Sequence, residues 1–133
     1  MLATAILKEW PVGLFDVSST YLYSPFEEHV LVKLPVIFLP ELYGKVLCLK
    51  KALYGMQQAG RSWWKFLSGI LERLNFVATK VDQSLYIFCS VMAVIAIWIH
   101  INDIVITSNL PDTILYFNAA LCSELNIKWS NKV

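Results

Sequence analysis

Two aspartates set in apolar surroundings are the residues of this chain best suited by type and place to do chemistry. Asp103 lies in the stretch Ile95–Thr107, where two β-branched runs flank the polar step His100-Ile101-Asn102-Asp103. Asn and Asp tolerate turn geometry and Ile and Val favour the pleated sheet, so the pattern predicts a hairpin with Asp103 at its tip. A carboxylate on a rigid tip is how a sheet offers a ligand to a hard cation such as Mg²⁺; a plain turn is the alternative. Asp16 closes the apolar run Leu14-Phe15-Asp16-Val17. A charge there is costly unless it is paired or bound to a cation. The alternative is that Asp16 caps the turn Ser18-Ser19-Thr20 through local backbone hydrogen bonds. A third candidate is the polar start of a helix, Gln57, Gln58 and Arg61, because helix starts and Arg attract phosphates. His29 has no second ligand near it in sequence and reads as a surface residue.

Length and composition bound what these residues can belong to. At 133 residues the chain has room for one domain with a real core. It is 57% hydrophobic and 16% charged, against about 25% charged in soluble domains, which excludes disorder and makes an isolated soluble protein awkward. A net charge of +1 argues neither for nor against nucleic acid. Cys48, Cys89 and Cys122 are far apart and odd in number, which suits reduced intracellular thiols rather than a disulfide framework or a zinc site. The N-terminus lacks a basic flank ahead of a hydrophobic run, so no signal peptide is expected. Leu85–Ile99 is 15 residues without a charge. A spanning helix wants about 20, and the β-branched and aromatic content suits two buried strands joined at Cys89-Ser90-Val91.

The elements that must hold the aspartates follow in order. A helix-like opening over residues 1–10 ends at Pro11 and Gly13, before a strand through Asp16. Glu27–Leu34 alternates enough for a partly exposed strand, Pro35–Pro40 reads as a loop, and Lys45–Leu49 as another short strand. Trp63, Phe66, Leu67, Ile70, Leu71 and Leu74 recur at helical spacing and predict an amphipathic helix packed on a sheet. Asp82 suits a turn ahead of the apolar hairpin. Pro111 then opens a second helix with an apolar face of Ile114, Leu115, Phe117, Leu121 and Leu125, and Ile127-Lys128-Trp129 starts a last strand. The expectation is an α+β fold, an antiparallel sheet with helices packed on one face.

Four stretches in this order resemble the palm of a copia-type retrotransposon reverse transcriptase, an RNA-directed DNA polymerase. Leu47–Trp63, LCLKKALYGMQQAGRSW, is similar to the family's L-x-K-A-L-Y-G-L-K-Q-A-P-R-A-W. Phe15-Asp16-Val17 through Leu22 resembles L-D-V-x-x-A-F-L, and Asn75–Tyr86 resembles G-F-x-x-s-x-x-D-x-S-L-Y. His100–Thr107 resembles Y-V-D-D-I-I-I-T. The resemblance covers about residues 12–109 and implies an incomplete polymerase fold, a partial palm domain over 1–133.

What the resemblance implies is specific. Asp16 would be the first catalytic carboxylate and Asp103 the last, holding two Mg²⁺ ions ~3.5–4 Å apart for nucleotidyl transfer. Tyr21 matches an aromatic gate that crowds a ribonucleotide's 2′-hydroxyl. Gln58 and Arg61 fall in the motif lining the nucleotide site, and Lys50, Lys51 and Lys65 would touch backbone phosphates of an RNA or DNA template-primer. The chain departs from the pattern where it matters most. Asn102 stands for the first Asp of the hairpin pair, His100 for its Tyr, and Gly60 for the motif's proline. The polar turn usual in the Leu85–Ile99 hairpin is also missing. An amide carbonyl binds Mg²⁺ more weakly than a carboxylate, so weak or absent catalysis is expected. The fingers segment, thumb, ribonuclease H, integrase and protease of a full element are expected to be missing or supplied by another chain. Two other classes compete. One is a non-catalytic structural or binding remnant whose exposed apolar faces need a partner. The other is a small membrane-associated protein built on Leu85–Ile101, disfavoured by that run's length.

Overall fold

A six-stranded antiparallel sheet, backed by two helices, carries both aspartates. The structure is a computed structural model that describes residues 1–24, 28–35, 37, 40–125 and, for the backbone, 127–130. The chain runs α1 (Leu2–Leu7), β1 (Val12–Val17), a 3₁₀ turn at Thr20–Leu22, β2 (Leu31–Lys33), a second 3₁₀ turn at Pro40–Leu42 and β3 (Val46–Cys48). It continues with α2 (Gln57–Arg73), β4 (Val77–Ala78), β5 (Leu85–Cys89), β6 (Val94–His100), β7 (Asp103–Ser108), α3 (Pro111–Glu124) and β8 (Ile127–Ser130). The main sheet has the order β4-β5-β6-β7-β1-β8, and β2 and β3 form a separate two-stranded sheet. The expected α+β architecture is therefore present, with one difference: the second and third strands leave the main sheet.

Alternation along the strands decides which face is core. Phe15, Val17, Ile95, Ile97, Ile99, Ile104 and Ile106 point to one side and bury against α2 (Trp63, Leu67, Ile70, Leu71) and α3 (Ile114, Phe117, Leu121). Both long helices thus lie on one face. The α2 stripe is the one its spacing predicts; in α3, Leu115 is instead 61% exposed, because it lies a helical step off the Ile114–Phe117–Leu121 line. The buried Ser68 hydroxyl and Tyr86 phenol hydrogen-bond at 2.7 Å, joining α2 to β5. Gly13 sits where β1 meets β7 and α3: a Cβ there would stand 3.0 Å from Ile106 Cγ2 and 3.4 Å from Ile114 Cγ2. Close approach of β1 to its neighbours depends on that missing side chain.

The opposite face of the sheet is open. It presents Leu14, Asp16, Trp98, His100, Asp103 and Val105, all half-buried or exposed. Leu85–Ile99 folds as β5 and β6, paired from Leu85↔Trp98 to Cys89↔Val94, and no helix among the described residues is long and apolar enough to cross a membrane. The turn between these strands has its polar group in Ser90, whose hydroxyl accepts the Ala93 N–H at 3.0 Å while its own N–H donates to the Ala93 carbonyl at 2.8 Å. Asp82 takes the expected turn role, accepting the Ser84 N–H at 2.8 Å. Parts of the Glu27–Leu34 strand and of the Pro35–Pro40 loop lie outside the described residues.

Candidate functional site

The two aspartates meet. β1 pairs with β7 in a register that sets Asp16 directly opposite Asp103, and directly opposite residues share a face with Cβ atoms about 4.5–5.5 Å apart. β7 in turn pairs with β6 so that His100 lies opposite Asp103, with its ring stacked on Trp98 at 5.6 Å and 4°. A row of His100, Asp103 and Asp16 thus crosses three strands at one end of the open face. Like charges directly opposite on a sheet destabilise it unless something neutralises them. Here Asn102 Nδ2 donates to Asp16 Oδ1 at 2.5 Å. The Asn102 amide thus gives the Asp16 carboxylate a hydrogen-bond donor.

The turn that presents these groups is tighter than the four-residue polar step the sequence suggests. His100 and Asp103 are already paired, leaving Ile101 and Asn102 as the loop, so Asp103 is the first strand residue rather than the tip. Ile101 has φ +55°, a conformation that costs a non-glycine residue on the order of 1–3 kcal/mol and a β-branched one especially. Two hydrogen bonds hold it: Trp63 Nε1 donates to the Ile101 carbonyl at 2.6 Å, and the Val17 N–H donates to the Asn102 carbonyl at 2.9 Å. The turn after β1 is closed by Thr20, whose hydroxyl donates to the Val17 carbonyl at 3.2 Å, leaving Asp16 to face Asn102.

The other candidates divide between two clefts on different faces of α2. Gln58, Arg61 and Lys65 line an open groove of about 580 Å³ with Ser62, Phe66 and Glu28. Gln58 Nε2 donates to Glu28 Oε2 at 3.0 Å inside it. Cations beside an aromatic ring and amide donors make a surface suited to phosphates and stacked bases. Tyr21 is elsewhere. It packs edge-on against Tyr54 at 4.6 Å and lines a smaller cleft of about 190 Å³ with Gly60, Trp63, Trp64, His100 and Ile101. Nothing built as a Cβ on Gly60 would meet an atom within 4 Å. Lys50 and Lys51 are exposed just after β3 and line neither cleft. Sequence reasoning took Trp63 for core alone and missed its bond to the turn; the one signal was an indole N–H on an otherwise apolar stripe. It also missed Glu28 and an apolar cavity of about 360 Å³ among Phe76, Phe88, Phe117 and Tyr116.

Asp16 and Asp103 are the two carboxylates that the strand register sets opposite one another, with the Asn102 amide against Asp16. Among the described residues no group of three or more His, Cys, Asp or Glu is arranged to hold a metal. An uncharged amide, its N–H directed at Asp16, accompanies the two carboxylates, and amide oxygens bind divalent cations more weakly than carboxylates do.

The family described as "Reverse transcriptase (RNA-dependent DNA polymerase)" matches residues 1–133. Among curated proteins, the "Retrovirus-related Pol polyprotein from transposon RE1" of Arabidopsis thaliana is 31% identical over 112 residues, 84% of this chain and 8% of that protein. The corresponding polyprotein from transposon RE2 of the same plant is 31% identical over 131 residues, 96% of this chain and 9% of that protein. The chain thus spans less than a tenth of the length of these relatives. No solved structure matches it.

Proposed function

The chain belongs to the reverse transcriptase (RNA-dependent DNA polymerase) family, and from that membership we propose that residues 1–133 are a copia-type palm domain with a degenerate catalytic centre. The observation that carries this reading is the hydrogen bond from Asn102 to Asp16, opposite Asp103. Two Mg²⁺ ions at such a centre supply the charge that activates a primer's 3′-hydroxyl and neutralises the leaving pyrophosphate. Asp16 and Asp103 are the anionic ligands this chain retains, and with Asn102 they do not fit two ions. Nucleotidyl transfer is therefore weak or lost.

Nucleic-acid binding rests on different residues and outlives that loss. Arg61 and Lys65 hold backbone phosphates of an RNA or DNA template-primer, Gln58 orients a nucleotide, and Phe66 offers a stacking surface. Tyr21 senses the sugar of a deoxynucleotide, a role supported by its sharing the neighbouring cleft with His100 and Ile101. Lys50 and Lys51 extend the positive surface beyond β3. The exposure of every residue of β3, and of Leu31 at 66%, supports completion by further polymerase segments or by another chain.

The test compares the unaltered chain with Asn102→Asp in Mg²⁺ titration and in primer extension on an RNA template. Asn102→Asp is expected to raise Mg²⁺ affinity about tenfold or more, since it restores a carboxylate beside two others. Unchanged affinity would sink the shared cation site. Extension by the unaltered chain at a rate matching Asn102→Asp would sink the degenerate centre.

A further inference from the structure

We propose that Trp63 is a positioning residue: its indole N–H holds the β6–β7 turn in the one conformation that brings Asn102 and Asp103 to Asp16. The turn does not hold itself. Two-residue hairpin loops of this kind use Gly or Asn where φ is positive, whereas this chain has Ile101 at φ +55°. A β-branched residue in that region needs an external restraint. The restraint comes from two elements at once. Trp63, 2% exposed and packed by Tyr23 and Phe66, donates to the Ile101 carbonyl at 2.6 Å, and Val17 of β1 donates to the next carbonyl, that of Asn102, at 2.9 Å. With both carbonyls held, one by α2 and one by β1, the Asn102 side chain is left to face Asp16 and Asp103 to start its strand in register.

The bond also ties the carboxylate end of the sheet to the helix that carries the polar groove. Trp63 lies two residues after Arg61 and two before Lys65, on another face of the same helix. In the cation-site part, the inference rests on the reading of Asp16 and Asp103 proposed above; the turn-holding part does not.

Trp63→Phe keeps most of the ring and removes the N–H. Amide hydrogen exchange reads the turn without any metal. The Val17 N–H, bonded to the Asn102 carbonyl, is expected to exchange about tenfold faster, the size of one net hydrogen bond. The Ser90 N–H in the far turn is expected to hold its rate. Adding Ile101→Gly relieves the backbone demand, so Trp63→Phe/Ile101→Gly is expected to recover Val17 protection. Unchanged Val17 exchange in Trp63→Phe overturns the proposal, and so does a loss at Val17 and Ser90 together that Ile101→Gly fails to rescue, since that marks a packing role only. Mn²⁺ titration of Asn102→Asp with and without Trp63→Phe then tests the coupling. A fall of about tenfold in affinity is expected, and equal affinities overturn the coupling. An Asn102→Asp chain that binds no Mn²⁺ at all overturns the cation-site reading while the exchange data still decide the role of Trp63.

Discussion

The β6–β7 hairpin and the β2–β3 pair are both antiparallel ribbons of mostly apolar residues, yet they end in opposite physical states. β6 and β7 pair over six positions and bury alternate residues under α2 and α3. β2 and β3 pair over three positions and bury none. Local propensity is enough to extend and pair a chain, but a ribbon is stable only when a second layer takes its apolar side out of water. The consequence is functional. Asp103 sits on the packed ribbon, where rigid backbone holds it in register with Asp16 of β1, whereas Lys50 and Lys51 follow the bare one, where charge is available and geometry is not.

Four substitutions break or sharpen that contrast, the largest expected effect first and Leu31→Ala given as its counterpart. Ile97→Ala in β6, at 0% exposure, is expected to cost about 2–5 kcal/mol in urea denaturation. Leu31→Ala in β2, at 66% exposure, is expected to cost well under about 1 kcal/mol; comparable losses at the two sites would abolish the distinction. Asn102→Asp replaces a donor to Asp16 with a third carboxylate on the packed ribbon. Without divalent cations it is expected to lower stability by about 1–3 kcal/mol, and Mg²⁺ is expected to return most of it. Thermal melts with and without Mg²⁺ measure this, and a loss that Mg²⁺ does not repair would mean the carboxylates fail to converge on one ion. Gly60→Ala, on the exposed first turns of α2 where a Cβ meets nothing, is expected to gain about 0.5–1 kcal/mol by helix propensity alone. A loss there, measured in the same urea series, would show that Gly60 meets a demand other than helix propensity.

Much of the frame was legible because it is local. The α2 stripe, the two hairpin strands and the Asp82 turn each depend on spacing within a dozen residues, and each is present. β4 escaped notice because Val77 and Ala78 are two exposed residues whose only strand signal is the partner they pair with. The turn was read one residue too wide at each end, since Asn and Asp announce turns equally well inside the loop and at the strand end. The site residues were legible as types but not as groups. Gln58, Arg61 and Lys65 share a groove because they recur along one face of α2; Tyr21, expected with them, falls in the next cleft with His100 and Ile101.

By itself the sequence determined the family, the α+β class, the apolar faces of the helices and the two aspartates at strand ends, because motif order, periodicity and charge in apolar context are properties of the chain. Only the tertiary structure decided that Asp16 stands opposite Asp103, that Asn102 donates to Asp16, and that Trp63 holds the strained Ile101. Those three facts join residues 86, 87 or 38 positions apart. Register between non-adjacent strands and the docking of a helix on a turn are set by packing the whole core, which no local pattern encodes.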